Sequence, residues 1–331
     1  MKKKLVCIGA CYVDTILDVP QYPGEDSKLR ATNLQVRRGG NCPNTLQVLQ
    51  QLLPIRGKRG DNDDDGGGSS SSSGGGGRDL DLKPYLISCL PRADAPATAT
   101  ITGSFGPGSL VDFTRCIFRE DHHQPASSYI IRSEATGSRT LVNYNDLPEM
   151  TVGEFVTAVE GIGGDDNDDD DVWFHFENSN PETHPKAQMR NAQGRIPETT
   201  LQCIRHLRRL FPNARVSVEV EKPGREGLQE LAAEADVVFY SRSWAESKRY
   251  GSAQQCLSAQ SGVARKATVG AGDTFIAGML FGLLCHHEDW DTERKVQFAV
   301  QLATRKVQRD GFDGLGLGLG SRVLGVGGGS K

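Results

Sequence analysis

Val269-Gly270-Ala271-Gly272-Asp273-Thr274-Phe275 reads as the end of a strand, a glycine turn and the opening of a helix that stays apolar through Ile276-Ala277-Gly278-Met279-Leu280-Phe281. A helix apolar on all sides is buried, and its N-terminal turn offers free backbone N–H groups and the positive end of the helix dipole. Glycines there let an anion approach those groups closely. Two readings of Asp273 follow. It is either a base that takes a proton from an attacking hydroxyl, a role contributing ~10²–10⁴ in rate, or an Asp that caps the helix after a flexible turn.

Upstream, Val172-Trp173-Phe174-His175-Phe176, Arg215-Val216-Ser217-Val218-Glu219-Val220 and Val237-Val238-Phe239-Tyr240 have the composition of strands, with a helix from about Thr199 to Phe211 between the first two. Near the N-terminus, Leu5-Val6-Cys7-Ile8 is a buried strand, and Pro43 to Leu53 is a helix with Leu46, Leu49, Leu52 and Leu53 on one side. Alternation of this kind predicts an α/β fold, a mainly parallel sheet flanked by helices. Lys28 to Arg37 and the hairpin Tyr129-Ile130-Ile131 to Thr140-Leu141-Val142, turned through Ala135-Thr136-Gly137-Ser138, look antiparallel instead. A small β-sheet lid beside the α/β body accounts for both.

A second polar cluster lies at the start of the first helix, in Arg38-Gly39-Gly40-Asn41-Cys42-Pro43-Asn44. Its glycines free the backbone for close contact, and Asn41 and Asn44, three apart with Pro43 in the first turn, are placed to face one ligand. Carboxamides supply donor and acceptor together, which suits hydroxyl groups, and Asp14 after the first strand adds further acceptors. The competing reading is an Asn-capped helix with Asp14 as a loop carboxylate.

The 331 residues carry 37% hydrophobic side chains and a net charge of −4, enough apolar material for a large α/β domain and no basic footprint for nucleic acid. The eight cysteines are scattered without paired CxxC spacing and read as reduced thiols. No metal site is expected: His122-His123 and His286-His287 lack a third ligand type, and His175 on its alternating strand reads as a satisfied interior histidine. No apolar run approaches the ~20 residues that span a bilayer and no signal peptide is evident, so a cytoplasmic protein without a membrane partner is expected. Residues 57–78 and 161–171 are low-complexity inserts of Asp, Gly and Ser, and 316–331 is a Gly-rich tail expected to be disordered. Deleting residues 57–78 is expected to leave the melting temperature and ligand affinity nearly unchanged, since loop-closure entropy varies slowly with length. A drop of several degrees on thermal denaturation would show that the insert packs on the body.

The two clusters, in this order, resemble the N- and C-terminal signatures of the ribokinase-like (PfkB) sugar kinases. The likeness extends through Tyr22-Pro23-Gly24-Glu25-Asp26-Ser27, Gly137-Ser138-Arg139-Thr140, Glu219-Val220-Glu221-Lys222-Pro223 and Gly311-Phe312-Asp313-Gly314. It implies one ribokinase-like domain over residues 1–315, with lid segments at about 12–38 and 95–145. It further implies ATP and Mg2+ as cofactors, a small sugar of the ketohexose kind as acceptor, and a possible homodimer through the lid. By the family's pattern Asp273 is similar to the catalytic base and Gly270, Ala271 and Gly272 to the anion hole. Asp14, Asp26, Gly40, Asn41 and Asn44 resemble the sugar pocket, with Arg139 reaching in from the lid.

Three departures stand out. Only nine residues, Ser261 to Val269, precede the glycine turn, where the family places several strands facing the nucleotide, and Ala267 replaces the Asp that begins the second signature. The expected consequences are an exposed sheet edge and the loss of part of the ATP pocket, which leaves two alternatives open beside an active kinase: a catalytically impaired sugar-binding or partner-binding protein, or an incomplete gene model of an active kinase. The family's Asn-x-x-Glu element is replaced by Ser241-Arg242-Ser243-Trp244, which leaves Arg242 as the candidate phosphate contact there.

Overall fold

The computed structural model describes residues 2–53, 81–163, 171–177, 196–262, 266–269 and 272–317. The insert at 57–78, most of the insert at 161–171 and nearly all of the tail at 316–331 lie outside the described residues, as do Gly270 and Ala271.

Six parallel strands form the body: β1 (Lys3–Ile8), β4 (Leu82–Ile87), β9 (Asp171–Phe176), β10 (Arg215–Val220), β11 (Val237–Tyr240) and β12 (Lys266–Val269). Their spatial order is β12-β11-β10-β9-β1-β4. The near-continuous Val, Ile, Leu and Phe runs follow from burial on both faces. Alternate residues part to two cores. Leu5, Cys7, Trp173 and Phe239 meet α1 (Asn41–Leu52), α8 (Asp273–Cys285) and α9 (Thr292–Val307). Val6, Phe174, Val218 and Tyr240 meet α3 (Val152–Val159), α4 (Ile196–Leu210), α5 (Leu228–Glu234), α6 (Arg242–Ser247) and α7 (Ala253–Gln260) on the other side. The expected three-layer arrangement is present, and among the described residues no helix is long and apolar enough to cross a membrane.

A smaller sheet of order β3-β2-β7-β8 is built from β2 (Tyr12–Val19), β3 (Asn33–Gly39), β7 (Ala126–Ser133) and β8 (Arg139–Tyr144). The hairpin pairs Ile130 with Leu141 as its sequence implies, and β2 runs parallel to β7. The first antiparallel stretch begins later than read from sequence, at Asn33. Asp18 anchors the far end of the sheet, accepting from Arg132 Nε at 2.6 Å, Arg132 Nη2 at 2.8 Å and Asn33 Nδ2 at 3.0 Å. Of residues 95–145, only those from Ala126 onward form lid strands. The helix α2 (Pro96–Gly103) buries Ile101 in the body's core, and β5 (Cys89–Pro91) pairs in parallel with β6 (Ile117–Arg119) beside it.

The short joint before the glycine turn contributes a strand of its own. β12 pairs with β11 from Val237↔Lys266 to Tyr240↔Val269, and among the described residues nothing pairs with its other side. The exposed edge expected from the sequence therefore lies one strand further out than the joint's length suggested.

Candidate active site

A cavity of about 410 Å³ lies between the lid and the C-terminal ends of the body's strands, the position at which open α/β sheets bind ligands. Of the residues singled out from sequence, Asp14, Gly40, Asn41, Asn44, Arg139, Gly272 and Asp273 all line it. Asp26 and Arg242 do not. Asp26 is exposed in the β2–β3 connection, and Arg242 points to solvent at the start of α6, pairing with Glu246 Oε1 at 2.7 Å.

The start of α1 owes its position to Gly40, whose φ of 106° lies in the region that side-chain-bearing residues avoid. A Cβ at this position would stand 2.2 Å from the carbonyl oxygen of Ala10. The chain therefore turns tightly against the β1–β2 connection and delivers Asn41 and Asn44 to the cavity. Asn41 Nδ2 donates to Glu219 Oε2 at 3.0 Å and Glu221 Oε2 at 3.3 Å. Asn44 Nδ2 donates to Asp273 Oδ2 at 2.7 Å, while its Oδ1 accepts from Arg38 Nη1 at 2.9 Å. Arg38 thus fixes which end of the Asn44 amide faces Asp273. Its buried guanidinium is held by Ser104 Oγ at 3.0 Å, by Gln47 Oε1, and by stacking 4.5 Å from the Phe105 ring.

Asp273 is the first residue of α8, and the N-cap position itself is taken by Gly272. The carboxyl faces the cavity but is otherwise enclosed by protein. Burial, and next the charge of Glu219, lift its pKa to about 7, against the bond from Asn44. A base that titrates near neutrality is matched to proton abstraction. The lid supplies the opposite wall through its register. Arg37, Asp14, Ser128 and Asn143 pair across four strands and form one row facing the cavity. Burial raises the pKa of Asp14, opposed by a hydrogen bond from Ser128 and the charges of Arg37, Arg38 and Arg139.

Sequence reasoning passed over Glu219, Glu221 and Glu177, which also line the cavity. Their signal was present: charged residues at every second position at the C-terminal ends of strands otherwise made of Val and Phe. Burial, then the neighbouring Glu221, raises Glu219 well above the ordinary carboxylate range. His175 is the interior histidine expected, with Nδ1 2.9 Å from Ser217 Oγ and Nε2 3.2 Å from Glu219 Oε1.

No protein-family model matches the chain. Ketohexokinase of Mus musculus is 24% identical over 369 aligned residues, an alignment that spans 95% of this chain and 99% of that protein. Among solved structures, ribokinase of Giardia lamblia superposes with a TM-score of 0.64 at 12% identity, covering 94% of this chain and 95% of its own. Arabidopsis thaliana ribokinase, solved with ribose and ATP, gives a TM-score of 0.62 at 12% identity, with 94% of both chains covered. By its sequence the chain is a homologue of ketohexokinase, and by its architecture it carries the ribokinase fold.

Proposed function

We propose that this chain is an ATP-dependent sugar kinase that phosphorylates a hydroxyl of a small sugar, in particular a ketohexose such as fructose. The observation that carries this reading is the carboxyl of Asp273, at the N-terminus of a buried helix, locked by Asn44 and placed in one cavity with Asp14 and Asn41. Support also comes from the likeness to ketohexokinase and to a ribokinase solved with ribose and ATP. Asp14, Asn41 and the lid row bind the sugar's hydroxyls. Asp273 takes the proton of the attacking hydroxyl. The N-terminus of α8, together with Arg139, offsets negative charge as it develops on the transferring group.

The cationic lining, Arg37, Arg38, Arg139, Lys222 and Lys306, suits a polyanionic second substrate. ATP supplies the phosphoryl group, with Mg2+ as the counter-charge of its phosphates. ADP release measured with fructose, other ketoses and ribose as acceptors tests the proposal. Fructose-dependent turnover is expected, and sugar binding with no turnover on any acceptor would overturn it. Because no described strand lies beyond β12, nucleotide is expected to bind more weakly than sugar, and turnover to be limited by how well the phosphates are placed. Calorimetric titrations with a non-hydrolysable ATP analogue and with fructose compare the two directly. Micromolar affinity for the analogue would overturn that expectation.

The lid's other face supports pairing of two copies. Val36, Tyr129 and Val142 lie in one row across the strands, and all are more than half exposed. Light scattering is expected to give twice the chain mass, and Val142→Arg to return it to one chain.

A further inference from the structure

We infer that Cys42, His175 and Glu219 form a binding site for a single zinc-class divalent ion beneath the floor of the sugar cavity, tying α1 to β9 and β10. Three elements distant in sequence bring a thiol, an imidazole and a carboxyl together, with ligand atoms within 4.8 Å of one another. Zinc bonds of about 2.0–2.3 Å place tetrahedral ligands roughly 3.3–3.8 Å apart, and the His175–Glu219 contact of 3.2 Å is already near that spacing. The remaining closure is an adjustment of side-chain torsions.

The surrounding hydrogen bonds are those that orient metal ligands. Ser217 Oγ lies 2.9 Å from His175 Nδ1, which leaves Nε2 aimed at the cluster, and Trp173 Nε1 donates to the same hydroxyl at 2.8 Å. The second oxygen of Glu219 is held by Asn41. The thiol of Cys42 makes a 3.4 Å contact to the carbonyl of Ile8 and a weak thiol–thiol contact with Cys7, both readily exchanged for a metal bond. Cys42 and His175 have no exposure, whereas Glu219 lines the cavity and so marks the route of entry. Thiolate and imidazole select a borderline-soft ion and disfavour Mg2+, which separates this ion from the one that accompanies a nucleotide. On binding, the thiol proton and the proton held between His175 and Glu219 leave to solvent. The fourth position remains open toward the cavity. An ion bound to the native state and not to the unfolded chain raises the melting temperature.

The test uses the full chain, reduced and metal-free, with Co2+ as optical probe and Zn2+ as competitor. One equivalent of Co2+ is expected to give a thiolate-to-cobalt charge-transfer band and the intense visible bands of a tetrahedral site, all lost on adding Zn2+. Zn2+ is expected to raise the melting temperature. Cys42→Ser should abolish the charge-transfer band, Glu219→Gln should weaken Zn2+ binding more than about ten-fold, and Cys89→Ser should change neither. Should Cys42→Ser fail to fold, Glu219→Gln, nearly identical in shape, decides alone. Cobalt bound without a thiolate band, a band that survives Cys42→Ser in a folded protein, or zinc affinity unchanged by Glu219→Gln would each overturn the site.

Discussion

Asp273→Asn is expected to lower sugar phosphorylation by ~10²–10⁴-fold while leaving the fold intact. Asparagine keeps an oxygen to accept the hydrogen bond from Asn44 Nδ2, now 2.7 Å from the carboxylate, so the start of α8 keeps its anchor to α1. What is lost is the group able to take the hydroxyl proton. Since the pKa of Asp273 is raised to about 7, the rate of the unaltered chain should climb as pH rises through about 7 and level off above it, because only the ionised form acts as base. The same shift has the opposite sign for stability. A carboxyl that holds its proton more tightly when folded favours the folded state at low pH, and this advantage is lost as pH rises from the unfolded pKa through about 7. Asp273→Asn should therefore melt at a higher temperature than the original at pH 8, with the gap closing toward pH 5. Initial rates and melting curves across pH 5–9 check both statements. An unchanged rate in a folded variant would remove Asp273 from the chemistry.

Gly40→Ala is expected to cost on the order of 3 kcal/mol and to abolish measurable sugar binding. At φ 106° alanine is strained, and its Cβ would stand 2.2 Å from the Ala10 carbonyl oxygen, a backbone atom with no rotamer through which to escape. Relief requires the β1–β2 connection and the start of α1 to separate, which carries Asn41 and Asn44 away from Glu219 and Asp273. Gly24→Ala is the control. A Cβ there meets nothing within 4 Å, and the change should stay within about 0.5 kcal/mol. Denaturant midpoints and fructose titrations of the two variants make the comparison, and equal midpoints would show that the turn at Gly40 is not rigid.

The body was legible in the sequence because its strands are buried on both faces, and runs such as Val237-Val238-Phe239-Tyr240 have no other stable environment. The lid hairpin was legible because alternation and a Gly137 turn fix its register. The half of the site carried by helix starts was also readable, since glycine followed by Asn or Asp constrains the backbone within a few residues. What escaped depends on neighbours remote in sequence. The period of two in Glu219-Val220-Glu221 assigns a face, but only the order of β9, β10 and α1 reveals that this face meets Asn41 and His175. Asp26 and Arg242 sit in a connection and at a helix start whose direction is set by local turns and by the Glu246 partner, and a motif carries neither. The joint at 261–269 was read by its length, which could not show that four of its residues would pair with β11.

β1 pairs with Leu82–Ile87 on one side and Asp171–Phe176 on the other, so this strand waits during synthesis for residues far downstream of it. The bond between Asn44 and Asp273 joins residues 229 positions apart. Contacts of such separation form late, after the closure entropy of the long intervening chain has been met. The nascent protein therefore completes the layer around Val6, Phe174 and Tyr240 first, and the docking of α8 closes the other layer and brings Asp273 beside the Asn pair in one event. Synthesis and assembly are thereby ordered in time: a chain that stalls before Asp273 has the Asn pair without the carboxyl proposed as its base.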